Sequence, residues 1–150
     1  MPAERSLPPP PPLPPLPCAC ASLRRAARAV TRAYMAELKD SGLQPMQFTL
    51  LWVLDLKGPN TQRALGEILA IDSTTLSRTL RPLEQGGWIR AGAGDDARET
   101  RWSLTPAGKR KVDQTRPAWE RAQASLRGRL GAASWGRLLA DLTAVASAVR

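Results

Sequence analysis

The sequence predicts a mainly α-helical domain with a small β-wing, bounded at both ends by helices with more apolar surface than one copy can cover. Three observations carry this expectation. Apolar residues recur at helical spacing over most of the chain beyond residue 18. Two short β-like runs, at 88–91 and 100–104, flank a glycine-rich charged loop. Residues 1–17 hold nine of the 14 prolines and stand apart from the rest. That segment can form neither helix nor ladder, so it is expected to be a disordered or polyproline II arm. An SH3-type or WW-type ligand is its functional reading; a dispensable tail or upstream start-site extension is the simpler one. The domain then spans 18–150.

From about Ala19 to Ser41 the stripe Leu23, Ala27, Val30, Tyr34 and Leu38 marks a first helix, with Arg24, Arg25, Arg28 and Arg32 mostly off it. Gly42 ends it, and Pro45 opens a second helix to about Leu56. This helix is apolar almost all round and is expected to be central and buried. After the breaker Lys57-Gly58-Pro59-Asn60, either Asn60 or Thr61 can cap a short third helix. Asp72 or Ser73 can cap a fourth, which reaches about Gln85 and stops at Gly86-Gly87, with distortion expected at Pro82. Strands at 88–91 and 100–104 follow. Thr105-Pro106 opens a long helix towards Leu130, bent at Pro117, with Val112, Thr115, Trp119, Ala122 and Leu126 on one stripe. Ser134 is expected to cap a last helix carrying Trp135, Leu138, Leu142, Val145 and Val149. Two short helices followed by strand, loop and strand form the order of a winged helix-turn-helix, here at about 61–108. The outer helices, about 19–41 and 106–150, are expected to pair with a second copy through Leu23, Val30, Trp135, Leu138, Leu142 and Val145.

Composition narrows the chemistry. Twenty-two basic against 13 acidic residues give a formal charge of +9, which favours a polyanionic partner. There is no histidine, hence no imidazole base or zinc ligand, and neither a glycine-rich phosphate loop nor a metal-ligand cluster is present. An enzyme is not expected. No apolar run approaches the roughly 18–20 residues that would span a bilayer. Prolines interrupt any secretory core at the N-terminus, so a soluble cytoplasmic protein with no membrane partner is expected.

The helix after Asp72 has two faces. Leu76, Leu80 and Leu83 point inward, while Thr74, Ser77, Arg78 and Arg81 recur on the outside, with Ser73 and Thr75 at the N-terminal end. Short hydroxyls can reach phosphates or base edges, and arginine pairs bidentately with guanine O6 and N7. In the loop, glycines let Arg98 extend towards a minor groove, Asp95 or Asp96 can hold an arginine, and Arg101 follows on the strand. Taken singly, each feature also fits an ordinary solvated helix face or polar hairpin loop.

Together these residues carry a resemblance. The stretch Asp96-Ala97-Arg98-Glu99-Thr100-Arg101-Trp102-Ser103-Leu104-Thr105-Pro106-Ala107-Gly108 resembles the wing signature of the MarR family of bacterial transcription regulators, an Asp-x-Arg tip and a strand ending in Leu-Thr-x-x-Gly. Thr74-Thr75-Leu76-Ser77-Arg78, Leu83-Glu84 and Gly87-Trp88-Ile89 resemble its recognition helix and exit. The order of elements matches over about 19–150. Pro82 and the proline arm depart from the usual pattern. The resemblance implies a homodimer that binds double-stranded DNA at a palindromic operator, often a repressor released by a small-molecule effector or by oxidation. It implies minor-groove contact by Arg98 beside Asp96, and DNA contacts by Ser77 and Arg78. Such a protein would be nucleoid-associated when bound. The alternative is a winged-helix module for protein–protein contact.

Cys18 and Cys20 form a Cys-x-Cys pair just before the first helix. Two thiols are too few for a closed zinc site, but four from two copies could bind a thiophilic metal or metalloid ion, or oxidise to a disulfide between subunits. The nearby helix N-terminus, Arg24 and Arg25 favour reactivity there. A conventional effector pocket is expected near Tyr34 and Trp52.

Overall fold

The computed structural model describes residues 11–94 and 99–149. In chain order it comprises α1 (Ala19–Leu38), a 3-10 turn (Lys39–Ser41), α2 (Pro45–Lys57), β1 (Asn60–Thr61), α3 (Gln62–Leu69), α4 (Ser73–Gln85), β2 (Ile89–Ala93), β3 (Thr100–Leu104), α5 (Pro106–Leu130) and α6 (Ala132–Ala148). The three strands form one antiparallel sheet in the order β1-β3-β2. Strand β1 was not expected: Asn60 and Thr61 pair with Trp102 and Arg101. Two residues after a proline carry no alternation to read, and only the neighbouring β3 makes them a strand.

Local signals set the boundaries. Gly42 adopts φ 69°, the left-handed region, and closes the 3-10 turn with its N–H on the Lys39 carbonyl. Gln44 and Gln47 form a reciprocal capping box ahead of α2, and Pro45 occupies its first turn. Of the alternatives left open by the sequence, Thr61 caps α3 and Asp72 caps α4. Helix α4 continues past Pro82 to Gln85, and α5 continues past Pro117 to Leu130. Ser134 does not cap α6: Gly131 stands at the cap position, and Ser134 lies one residue past the first two helical positions. Gly131, with φ 80°, turns the chain there, and few residue types besides glycine take that conformation.

The core lies in the middle of the chain. Phe48, Leu50, Leu51 and Leu54 of α2 meet Leu65 of α3, Leu76, Leu80 and Leu83 of α4, Ile89, Trp102, and Val112 of α5. Helix α2 is central as expected, except that Leu56 is 68% exposed. Burial of Leu76, Leu80 and Leu83 with exposure of Ser73, Thr74, Thr75, Ser77, Arg78 and Arg81 matches the predicted two faces of α4.

The joint between wing and α5 is tight. Thr105 accepts the Gly108 N–H at 3.0 Å and donates its hydroxyl to the Gly87 carbonyl at 2.7 Å. A Cβ on Gly108 would overlap the Trp88 carbonyl oxygen, so this position of the Leu-Thr-x-x-Gly pattern needs hydrogen as its side chain. Lys111 adds a second tie: its ammonium lies 4.8 Å from the Trp88 ring centroid and donates to the Ser41 carbonyl. On the α2–α5 seam, Asp55 accepts from Lys109 at 3.1 Å and from Arg116 at 3.3 Å. Hydrogen bonds from Lys109 to Asp113 and Asp55 hold the lysine's pKa above its ordinary value.

The outer helices are built differently. Glu37 pairs with Arg121 at 3.1 Å, and Ala29 and Val30 lie with Leu126 and Arg129 around one cavity, so α1 runs antiparallel to α5. Ten residues of α1 precede that point, or about 15 Å of helix. In α1 only Leu38 is buried, and no described residue of α6 is.

Candidate nucleic-acid interface

Helix α4 is positioned from beneath and from both ends. Beneath, its three leucines are at most 1% exposed. At its start, Asp72 accepts from the Thr75 N–H at 2.9 Å and from the Thr75 hydroxyl at 2.6 Å. Those bonds, the side-chain one foremost, hold the Asp72 carboxyl below the usual aspartate range. At its end, the Trp88 N–H reaches the Leu83 carbonyl at 3.0 Å, which fixes the turn into β2.

The outward face then presents Ser73, Thr74, Ser77, Arg78 and Arg81 to solvent. Not all of its hydroxyls are equally available. Thr75 is committed to Asp72, and Thr79 donates back to the Thr75 carbonyl at 2.9 Å. Ser77 instead accepts from Gln62 Nε2 at 2.9 Å, and Gln62 Oε1 accepts from the Trp102 indole at 3.4 Å. Gln62 was not singled out from the sequence. A single polar residue after a cap belongs to no periodic pattern, and its partners lie 15 and 40 positions away.

The wing rises beside this face. Strands β2 and β3 pair from Ile89↔Leu104 to Ala93↔Thr100, and the Gly94 N–H bonds the Glu99 carbonyl at 2.9 Å. Strand β2 starts and ends one to two residues later than expected, because pairing with β3 decides its extent. Asp96 and Arg98, the expected wing-tip pair, lie outside the described residues, as does Asp95. Arg101 is half-buried in the central strand, opposite Gly92 and Thr61.

A cavity of about 630 Å³ lies between α3, the start of α4 and the wing root, lined by Gln62, Gly66, Ile71, Ser73 and Thr100 among others. Another, about 680 Å³, opens between α5 and α6 beside Trp119, Trp135 and Leu139. Neither is lined by Tyr34 or Trp52, where an effector pocket was expected. Trp52 packs instead edge-on to Trp119, ring centroids 4.4 Å apart, and near Phe48 at 6.3 Å. Burial pushes the Tyr34 phenol upward in pKa. Trp52 Nε1, Thr115 Oγ1 and Gln123 Oε1 are buried without a hydrogen-bond partner among the described residues. Cys18 and Cys20 are both exposed free thiols, Cys18 at the N-cap of α1. The Arg25 guanidinium donates to the Pro14 carbonyl at 2.8 Å. Among the described residues no three His, Cys, Asp or Glu side chains are grouped to hold a metal ion, and no helix is long and apolar enough to cross a membrane.

Comparison with known proteins agrees with this architecture. The family model described as MarR family matches residues 41–99. The HTH-type transcriptional regulator YwoH of Bacillus subtilis (strain 168) is 29% identical over 92 residues, 61% of this chain and 67% of that one. The M. tuberculosis transcriptional regulator MosR, solved in complex with DNA, is 35% identical, with a TM-score of 0.80 over 88% of this chain and 96% of that one. A probable transcriptional regulator from Pseudomonas aeruginosa is 25% identical, with a TM-score of 0.78 over 86% of this chain and 97% of that one. With a buried helix-turn-helix core, a paired wing and the Leu104-Thr105-Pro106-Ala107-Gly108 joint, the chain belongs to the MarR family of winged-helix transcription regulators.

Proposed function

We propose that this protein binds double-stranded DNA as a homodimer and represses transcription from a palindromic operator. The observation that carries the reading is the exposed row of Ser73, Thr74, Ser77, Arg78 and Arg81 over a fully buried leucine stripe. It places donors on one rigid helix face, as a major-groove reader requires. That a relative of the same fold was solved in complex with DNA supports a DNA-binding role. Arg98, held by Asp96, would then enter the adjacent minor groove, with Arg101 supporting the wing from within the sheet.

The dimer follows from unburied surface. Leu139, Leu142 and Val145 on α6 are 42–47% exposed, Leu23 on α1 is 38%, and Val30, Trp135 and Leu138 are half-buried. A second copy would cover these and fill the groove beside Trp135, and its two-fold axis would match a palindromic site.

Two routes of release fit the surroundings. Peroxide could take two electrons and two protons from a Cys18 or Cys20 thiol on each subunit, leaving a disulfide between subunits and water. A thiophilic ion could bridge the same thiols. Alternatively, a small-molecule effector could bind and release the operator.

The test is a gel shift on the promoter of the protein's own gene. Arg78→Ala and Arg98→Ala should each cost about 1–3 kcal/mol of binding with melting unchanged. Wild-type binding by both would show that the DNA surface lies elsewhere. No shift by the unmutated protein would favour the protein–protein module. Release by peroxide and soft ions should disappear in a Cys18→Ser, Cys20→Ser double variant if the thiols are the sensor.

A further inference from the structure

Trp102 is 7% exposed on the central strand, and its one polar group, the indole N–H, can only donate. Its partner, 3.4 Å away, must therefore be the carbonyl oxygen of Gln62, the first residue of α3. That orients the whole amide. With Oε1 against the indole, the NH₂ faces Ser77 and donates to its Oγ at 2.9 Å. A hydroxyl has a single hydrogen, and this bond does not use it. One of the two Ser77 lone pairs is occupied from the protein side while its O–H remains available on the exposed face.

We propose that Gln62 is a positioning residue that fixes the polarity of the Ser77 hydroxyl, so that Ser77 meets its target as a hydrogen-bond donor and selects an acceptor atom of DNA. The neighbouring hydroxyls show what the relay prevents. Thr75 spends its hydrogen on Asp72, and Thr79 spends its own on a backbone carbonyl of the same helix. Ser77 without Gln62 could do the latter too, presenting lone pairs outward. The acceptors within reach of a donor are a phosphate oxygen, or base-edge atoms such as guanine N7 and O6, adenine N7 and thymine O4. The inference rests on the DNA-binding reading above, and it converts a buried tryptophan in the wing into a determinant of what the recognition helix accepts.

The experiment uses the full-length protein and duplexes enriched by it from a randomised pool. Dissociation constants are measured for wild type, Gln62→Leu, Ser77→Ala and the double variant, with thermal melts of each. Gln62→Leu should weaken binding roughly 3- to 10-fold, the net worth of one hydrogen bond. In the Ser77→Ala background the same change should do almost nothing, which a merely structural role would not produce. If the acceptor is a base edge, the loss is confined to one position of the enriched site, and a 7-deazapurine there reproduces it when the atom is N7. If it is a phosphate, all duplexes weaken alike. Should Gln62→Leu fail to fold, Trp102→Phe breaks the relay one link earlier and is expected to give the same coupling to Ser77. Wild-type affinity in a folded Gln62→Leu protein, or an equal loss with and without the Ser77 hydroxyl, overturns the relay. A wild-type protein that enriches no duplex overturns the DNA reading, and the relay falls with it.

Discussion

The segment from α2 to β3 and the two outer helices draw on similar residues but end in opposite states. In α2, Phe48, Leu50, Leu51 and Leu54 are at most 2% exposed, whereas in α6 three large aliphatic side chains remain more than 40% exposed. Helix propensity does not separate them. What differs is neighbours: α2 is packed by α1, α4, α5 and β3, while α6 meets α5 at one end of the fold. Apolar burial at about 25 cal/mol per Å² stabilises only surface that something covers. The middle of the chain therefore makes its own core, while the ends keep apolar surface that this chain does not cover.

The strongest way to sharpen that contrast is to damage each side in turn. Phe48→Ala should cost about 3–5 kcal/mol in denaturant unfolding, independent of protein concentration, since the ring fills a site made by its own chain. Leu142→Asp should behave differently. It is expected to weaken the dimer at least about 100-fold, on the order of 3 kcal/mol, by placing a carboxylate in a dry seam. Sedimentation would show monomers or aggregates, and the rise of melting temperature with concentration expected for wild type would vanish. A wild-type protein that sediments as a stable monomer would break the comparison. Between these lies the joint linking the two regions. Thr105→Ala removes the α5 cap and the bond to Gly87, and should cost about 1–2 kcal/mol, read in the same melts.

The smallest effect expected is electrostatic. The Asp72 carboxyl has a folded-state pKa below its unfolded one, so its contribution is present above about pH 4 and is lost as pH falls through the lower, folded value. Asp72→Asn, which still caps but does not titrate, should flatten the acid limb of the stability curve without shifting its neutral plateau. Lys109 has the opposite sign. Its pKa is raised, so its contribution is complete below about pH 10 and is lost as pH rises through the folded value.

Much of this was legible in the order of the residues. Element identity follows from the spacing of Leu76, Leu80 and Leu83, from Thr105-Pro106, and from the glycines at 42 and 86–87, because helix periodicity and capping act within a few positions. The two faces of α4 are readable for the same reason. Strand β1, the half-burial of Arg101, the failure of Ser134 to cap α6 and the Gln62 bridge were not readable. Each depends on a residue brought alongside from elsewhere: β3 makes a strand of Asn60 and Thr61, and Trp102, 40 positions on, orients Gln62. Sequence alone determined which surfaces are apolar and which carry hydroxyls and guanidinium groups. Tertiary structure decided which apolar surfaces find cover and which hydroxyls keep a hydrogen to offer, since burial and hydrogen-bond polarity are set by the group that arrives opposite, however far along the chain it lies.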